Sequence, residues 1–156
     1  MIVKNPAFKN SFRFALCGFL CFIASLALPS IRLIALGSPA IFSGLQATAW
    51  AIGLGFESIA HVAAAHSLGK IVLGAASILN ITFFITPAIQ VWCRPQPRVV
   101  WGLGIVSVLG LLFGLIAPTV LEDMHPVALI GYFVWLAGYC FIIASLILAW
   151  SAIRQK

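Results

Sequence analysis

VVWGLGIVSVLGLLFGLIAPTV, residues 99 to 120, runs for 22 positions without an Asp, Glu, Lys or Arg. A helix needs about 20 apolar residues to cross the hydrocarbon of a bilayer, and one that is apolar on every side presents no face to water. This stretch is therefore read as a membrane span. Working outward, Arg94-Pro95-Gln96-Pro97-Arg98 precedes it as a corner stiffened by two prolines, because proline and the residue before it resist helix. Glu122-Asp123-Met124-His125-Pro126 follows it as a short polar connection.

Three further stretches read the same way, over residues 12–29, 70–92 and 127–152. Pro29 closes the first, and Trp92 with Arg94 closes the second. Arg98 and Trp101 open the span at 99, and Pro126 opens the last, which ends at Trp150, Arg154 and Lys156. Such residues mark membrane interfaces, where an amphipathic ring or a long cationic side chain reaches the headgroups. The first 29 residues also resemble a signal peptide, with Lys4, Lys9 and Arg13 ahead of an apolar run and Ser25-x-Ala27 near its end. The segment is expected to stay as the first membrane helix.

Composition agrees. Of 156 residues, 63% are hydrophobic and 8% charged, and the mean hydropathy is +1.15, whereas an ordinary soluble domain is roughly a quarter charged. A sphere this small cannot hide so much apolar surface from water, so a soluble monomer is excluded. Nine Lys and Arg against three Asp and Glu give a net charge of +6. The cations sit in ones and twos at the edges of apolar runs rather than in a patch, which excludes nucleic acid as a partner and suits topology and anionic headgroups. Cys17, Cys21, Cys93 and Cys140 form no C-x-x-C pair and read as free thiols, inert in apolar surroundings.

Residues 30–44 contain two short apolar pieces around Gly37-Ser38-Pro39. They read as a small hairpin or folded loop on the membrane surface. Leu45 to His66 is the difficult segment. It is long enough to span but carries Glu57 and His61 near its middle, and an acid at a helix centre costs about 2.5–3.5 kcal/mol on the insertion scale. If it crosses, five spans divide the nine cations five to four. If it does not, four spans put seven on one side, with Arg32 and Lys70 opposite, the better match to the positive-inside rule. Against that, the short Ser67-Leu68-Gly69-Lys70 connection suits a tight helical hairpin, and neighbouring helices would shelter Glu57. The expected fold is an all-α, polytopic helical bundle in which 1–156 form one transmembrane domain. Its helices lie over 12–29, 70–92, 99–120 and 127–152, with 45–66 as a fifth.

The order Leu28-Pro29, Gly37, then Ser43-Gly44-Leu45 resembles a layout in small bacterial multi-span proteins, including the paraquat-inducible membrane proteins. In those proteins a first span ends at Leu-Pro, a strand-like loop follows, and a Ser/Gly turn starts the second span. The likeness covers about residues 25 to 65 and does not extend to that family's cysteine-rich element. It implies a membrane-inserted 45–66 and a bacterial inner (cytoplasmic) membrane.

Candidate chemistry is sparse. Glu57 and His61 are four apart on one helical face and within reach of each other. They would serve either as a polar contact that orients the helix or as a titrating pair in a proton-coupled carrier. His61 and His66 are five apart, too far around one helix to share a metal. A haem held by one of them would need a second ligand from another span, and His125 lies at a loop edge. Glu122 and Asp123 read as solvated rather than as a cation site. Ser77, Asn80, Thr82, Thr86 and Ser107 would hydrogen-bond between helices, and Asn80 with Phe83 and Pro87 would line a pocket or a packing face. Gly110-x-x-x-Gly114 allows close helix contact. No phosphate loop, nucleophile elbow or H-E-x-x-H is present.

The expectation is a non-enzymatic accessory protein that packs against a larger membrane complex or a second copy of itself, with the lipid bilayer as its solvent and no cofactor. A small transporter using Glu57 is the alternative, and a haem- or quinone-associated redox subunit the next.

Overall fold

The structure, a computed structural model, describes residues 6–35, 38–60, 67–92, 96–120 and 127–154. In chain order these form α1 (Pro6–Ala27), β1 (Pro29–Ala35), β2 (Ser38–Ser43), α2 (Gly44–Ala60), α3 (Ser67–Leu79), α4 (Thr82–Trp92), α5 (Pro97–Val120), β3 (Val127–Ala128) and α6 (Ile130–Arg154). The molecule is mostly helical. Among the described residues, four helical stretches, Phe8–Ala27, Gly74–Val91, Pro97–Thr119 and Ile130–Arg154, are long and apolar enough to cross a membrane.

The centre is an antiparallel pair, α1 against α6. Ser11, early in α1, donates its hydroxyl to the carbonyl of Ser145, late in α6, at 2.9 Å. Midway, a Cβ on Gly18 would lie 2.9 Å from the carbonyl oxygen of Gly138, so two glycines let the backbones touch. Aromatic rings fill the space beside them. Phe22 stacks on Phe83 of α4 at 4.7 Å and 9°, and Phe83 packs on Tyr139 at 4.6 Å. Val100, Ile142, Leu146 and Ala149 complete this buried cluster.

Both ends of the bundle are defined by contacts. Gln90 of α4 donates to Ser145 Oγ at 2.7 Å, and Trp101 of α5 meets Trp150 of α6 edge to face at 5.6 Å. The start of α1, the end of α4, the start of α5 and the end of α6 therefore gather at one end. At the other, Leu129 donates its N–H to the Ser30 carbonyl at 2.9 Å, and Gly44 to the Leu28 carbonyl at 3.0 Å.

Two expectations are corrected. The all-α reading omits a three-stranded antiparallel sheet in the order β2-β1-β3. β1 and β2 do pair antiparallel, but β3 also pairs Val127 and Ala128 with Arg32 and Ile31. Period-two burial explains the sheet: Ile31 is half-buried, Arg32 exposed and Leu33 buried, the alternation of a strand with one covered face. The span over 70–92 is also not one helix. It breaks at Asn80 and Ile81, where bonds from Asn80 N–H to Ser77 O (3.3 Å) and from Ile81 N–H to Ile78 O (3.2 Å) tighten the last turn of α3. Asparagine competes with the helix for backbone partners, and Thr82 Oγ1 donates to the Leu79 carbonyl at 2.9 Å, capping the break. Residues 45–60 are helical within α2, and 61–66 lie outside the described residues.

Candidate functional site

The break in the α3–α4 segment places Asn80 inside the bundle. Its side chain is 6% exposed, and Oδ1 accepts from Trp135 Nε1–H at 2.8 Å and from the Tyr139 hydroxyl at 3.1 Å. Indole nitrogen only donates, so the amide oxygen faces α6. Tyr132, one turn before Trp135, donates its hydroxyl to the carbonyl of Gly114 on α5. Tyr132, Trp135 and Tyr139, at helical spacings of three and four, thus tie α6 to both neighbours.

Asn80 also borders a small pocket of about 60 Å³ at the sheet end of the bundle. Ser25 and Ser30 line it from the end of α1 and the start of β1, Thr48 and Ala51 from α2, and Ser77 with Ala76 from α3. Ala117 of α5 and the rings of Tyr132 and Trp135 close it. Local structure puts the two serines there. The register of β1 against β2 shifts between Pro29 and Ile31, and such a bulge re-aims a side chain. Ser30 Oγ therefore turns inward to the carbonyls of Ser25 and Leu28, 3.3 Å from each. Ser25 Oγ donates back along α1 to the Phe22 carbonyl at 2.7 Å. Gly44 makes the approach of α2 possible, because a Cβ there would sit 2.1 Å from the Ser25 carbonyl oxygen.

Among the described residues the lining is hydroxyls, one amide, small apolar side chains, Ile31 and two aromatic rings. A cavity of this size holds a few waters or one small polar group.

The other sequence candidates fall elsewhere. Glu57 is exposed on α2 and does not border the pocket. His61, His66 and His125, and with them the Glu57–His61 pair and the haem reading, lie outside the described residues, as do Glu122 and Asp123. Among the described residues no three His, Cys, Asp or Glu side chains come together, and Cys17, Cys21 and Cys140 are free thiols. Gly110 and Gly114 both face α6: a Cβ on Gly110 would lie 2.6 Å from the Tyr139 ring, and one on Gly114 2.9 Å from Trp135.

A second polar group joins Ser11, Gln90 and Ser145 near the opposite end. Sequence reasoning missed it and missed the pairing of Asn80 with Trp135. The three-and-four spacing of Tyr132, Trp135 and Tyr139 was the available signal, since Tyr and Trp with polar tips seek partners when buried. Thr86 Oγ1, Ser107 Oγ and Gln90 Oε1 are buried with no hydrogen-bond partner among the described residues. Compared with protein-family models, curated proteins and solved structures, the chain has no match.

Proposed function

We propose that the chain is an integral membrane protein of four crossings that performs no chemistry of its own and acts as an accessory subunit, docked on a larger membrane complex or on a second copy of itself. The setting we propose is a bacterial inner membrane, as the resemblance over residues 25–65 implies. An even number of crossings, without the fifth expected over 45–66, is supported by the gathering of the start of α1, the end of α4, the start of α5 and the end of α6 at one end.

One observation carries the accessory reading: polar and apolar groups are divided between inside and outside. The buried polar side chains Ser11, Ser25, Ser30 and Asn80 are engaged in hydrogen bonds. Outward, Trp101, Ile105, Leu115, Phe133 and Ile147 are each more than half exposed. A surface of this kind meets lipid or another helix and offers a water-soluble substrate nothing. The carrier reading has less behind it, because Glu57 does not border the polar pocket beside Asn80.

The test is purification in mild detergent of the wild type and Glu57→Gln. A companion in fixed stoichiometry, or a defined homo-oligomer, retained by both proteins is the expected result. A solitary monomer whose Glu57→Gln form loses proton-coupled uptake in vesicles would overturn the reading in favour of the carrier.

A further inference from the structure

We propose that the groove between α5 and α6 binds one acyl chain of an anionic phospholipid, with Arg98 and Arg154 gripping the headgroup. The inference rests on the membrane reading above. The groove measures about 430 Å³, within the roughly 300–1,000 Å³ of pockets that hold small organic ligands. Val100, Gly104, Ile105 and Val108 line one wall, Ile143 and Ile147 the other. From Val100 to Leu109 the groove follows α5 for about 13 Å, the shape of a chain rather than of a compact ligand. Gly104 deepens it, since a Cβ there would meet nothing within 4 Å.

The end of the groove where α5 begins and α6 stops is different in chemistry. Trp101 and Trp150, both lining residues, meet there edge to face. Arg154 lies with Cζ 4.9 Å from the centre of the Trp150 ring, a cation–π contact that holds its guanidinium at the mouth. Arg98 is exposed three residues before Trp101, on the same side of α5. Guanidinium groups stay charged and take phosphate through paired N–H donors. Glu57, on α2, is the one carboxylate side chain among the described residues. Two cations above an apolar slot call for a ligand that is anionic at its head and hydrocarbon along its length. A partner helix would fill the slot without answering the two charges.

The experiment is native mass spectrometry of the detergent-purified protein titrated with phosphatidylglycerol or phosphatidylcholine. Wild type is compared with Gly104→Leu, Ile147→Trp and the double variant Arg98→Gln/Arg154→Gln, with circular dichroism confirming the fold of each. Wild type is expected to hold phosphatidylglycerol at least tenfold more tightly, at about a factor of five for each guanidinium. The double Arg variant should lose that preference while still binding phosphatidylcholine weakly, and both groove-filling variants should lose both lipids. Equal retention of the two lipids by wild type, or unchanged binding by Gly104→Leu and Ile147→Trp, overturns the proposal. So does a lipid-free dimer that Gly104→Leu dissociates, which would give the groove to a helix. These failures leave the membrane reading intact. That reading falls separately if the protein stays dispersed in plain buffer without detergent, and the lipid site then falls with it.

Discussion

Trp135 gives its indole N–H to Oδ1 of Asn80 at 2.8 Å, so a residue on α6 holds closed the point at which the α3–α4 segment breaks. The contact couples two features that are otherwise unrelated. The break turns the Asn80 side chain inward, and its amide oxygen becomes the acceptor that two aromatic donors of α6 use. Tyr139 shares the same oxygen at 3.1 Å and is itself fully buried. One side chain thus both bonds α6 and borders the pocket.

Replacing Asn80 by Leu should destabilise the protein by about 1–3 kcal/mol, because it leaves the half-buried Trp135 Nε1–H without its acceptor and leaves the buried Tyr139 hydroxyl with Thr82 alone. An ordinary interhelical hydrogen bond in a membrane contributes only about 0.6 kcal/mol, so a loss above that value separates orphaned donors from simple bond removal. Thermal unfolding in detergent, followed by tryptophan fluorescence, measures it. Adding Trp135→Phe and Tyr139→Phe to Asn80→Leu removes the orphans and should recover part of the loss. If the triple variant is less stable than Asn80→Leu alone by the full sum of the separate changes, the coupling described here is absent.

Four crossings make a topological prediction. Single cysteines introduced at Asn10 and Gln96 in a background lacking the natural thiols should react with a membrane-impermeant maleimide from the same side of sealed vesicles, and one at Arg32 from the opposite side. All three positions are exposed. Five crossings would put position 96 opposite position 10, so a split between those two labels rejects the four-crossing reading.

Much of this architecture was legible because hydropathy reports an average over many side chains. The uncharged run at 99–120 lies within α5, whose bounds are Pro97–Val120, and the two-residue rhythm of Ile31-Arg32-Leu33 is visible once a strand is considered. The break at Asn80 was harder, since it turns on one amide and one threonine inside a run apolar enough to read as continuous. The pairing of β1 with β3 joins residues almost a hundred positions apart, and a two-residue strand has no rhythm of its own. The site at Asn80 was half visible: the residue type marked it as an interhelical donor or acceptor, but its partners are fixed by how far α6 slides along α4, which periodicity does not encode.

Gly110 supplies the last test, because it separates close helix approach from mere helix propensity. A Cβ at this position would stand 2.6 Å from Cε1, Cζ and the hydroxyl oxygen of Tyr139, a ring with no room to yield since it is wedged against Phe83 and Trp135. Gly110→Ala should therefore cost about 1–3 kcal/mol through overpacking, despite the gain in helix propensity. At Gly102, two turns earlier on the same helix, a Cβ would meet nothing within 4 Å, and alanine there should stabilise by about 0.5–1 kcal/mol through backbone entropy alone. Unfolding midpoints of the two variants in the same detergent should move in opposite directions. Shifts of the same sign would mean that α5 does not lie against Tyr139 as described, and the network through Asn80 would lose its third helix.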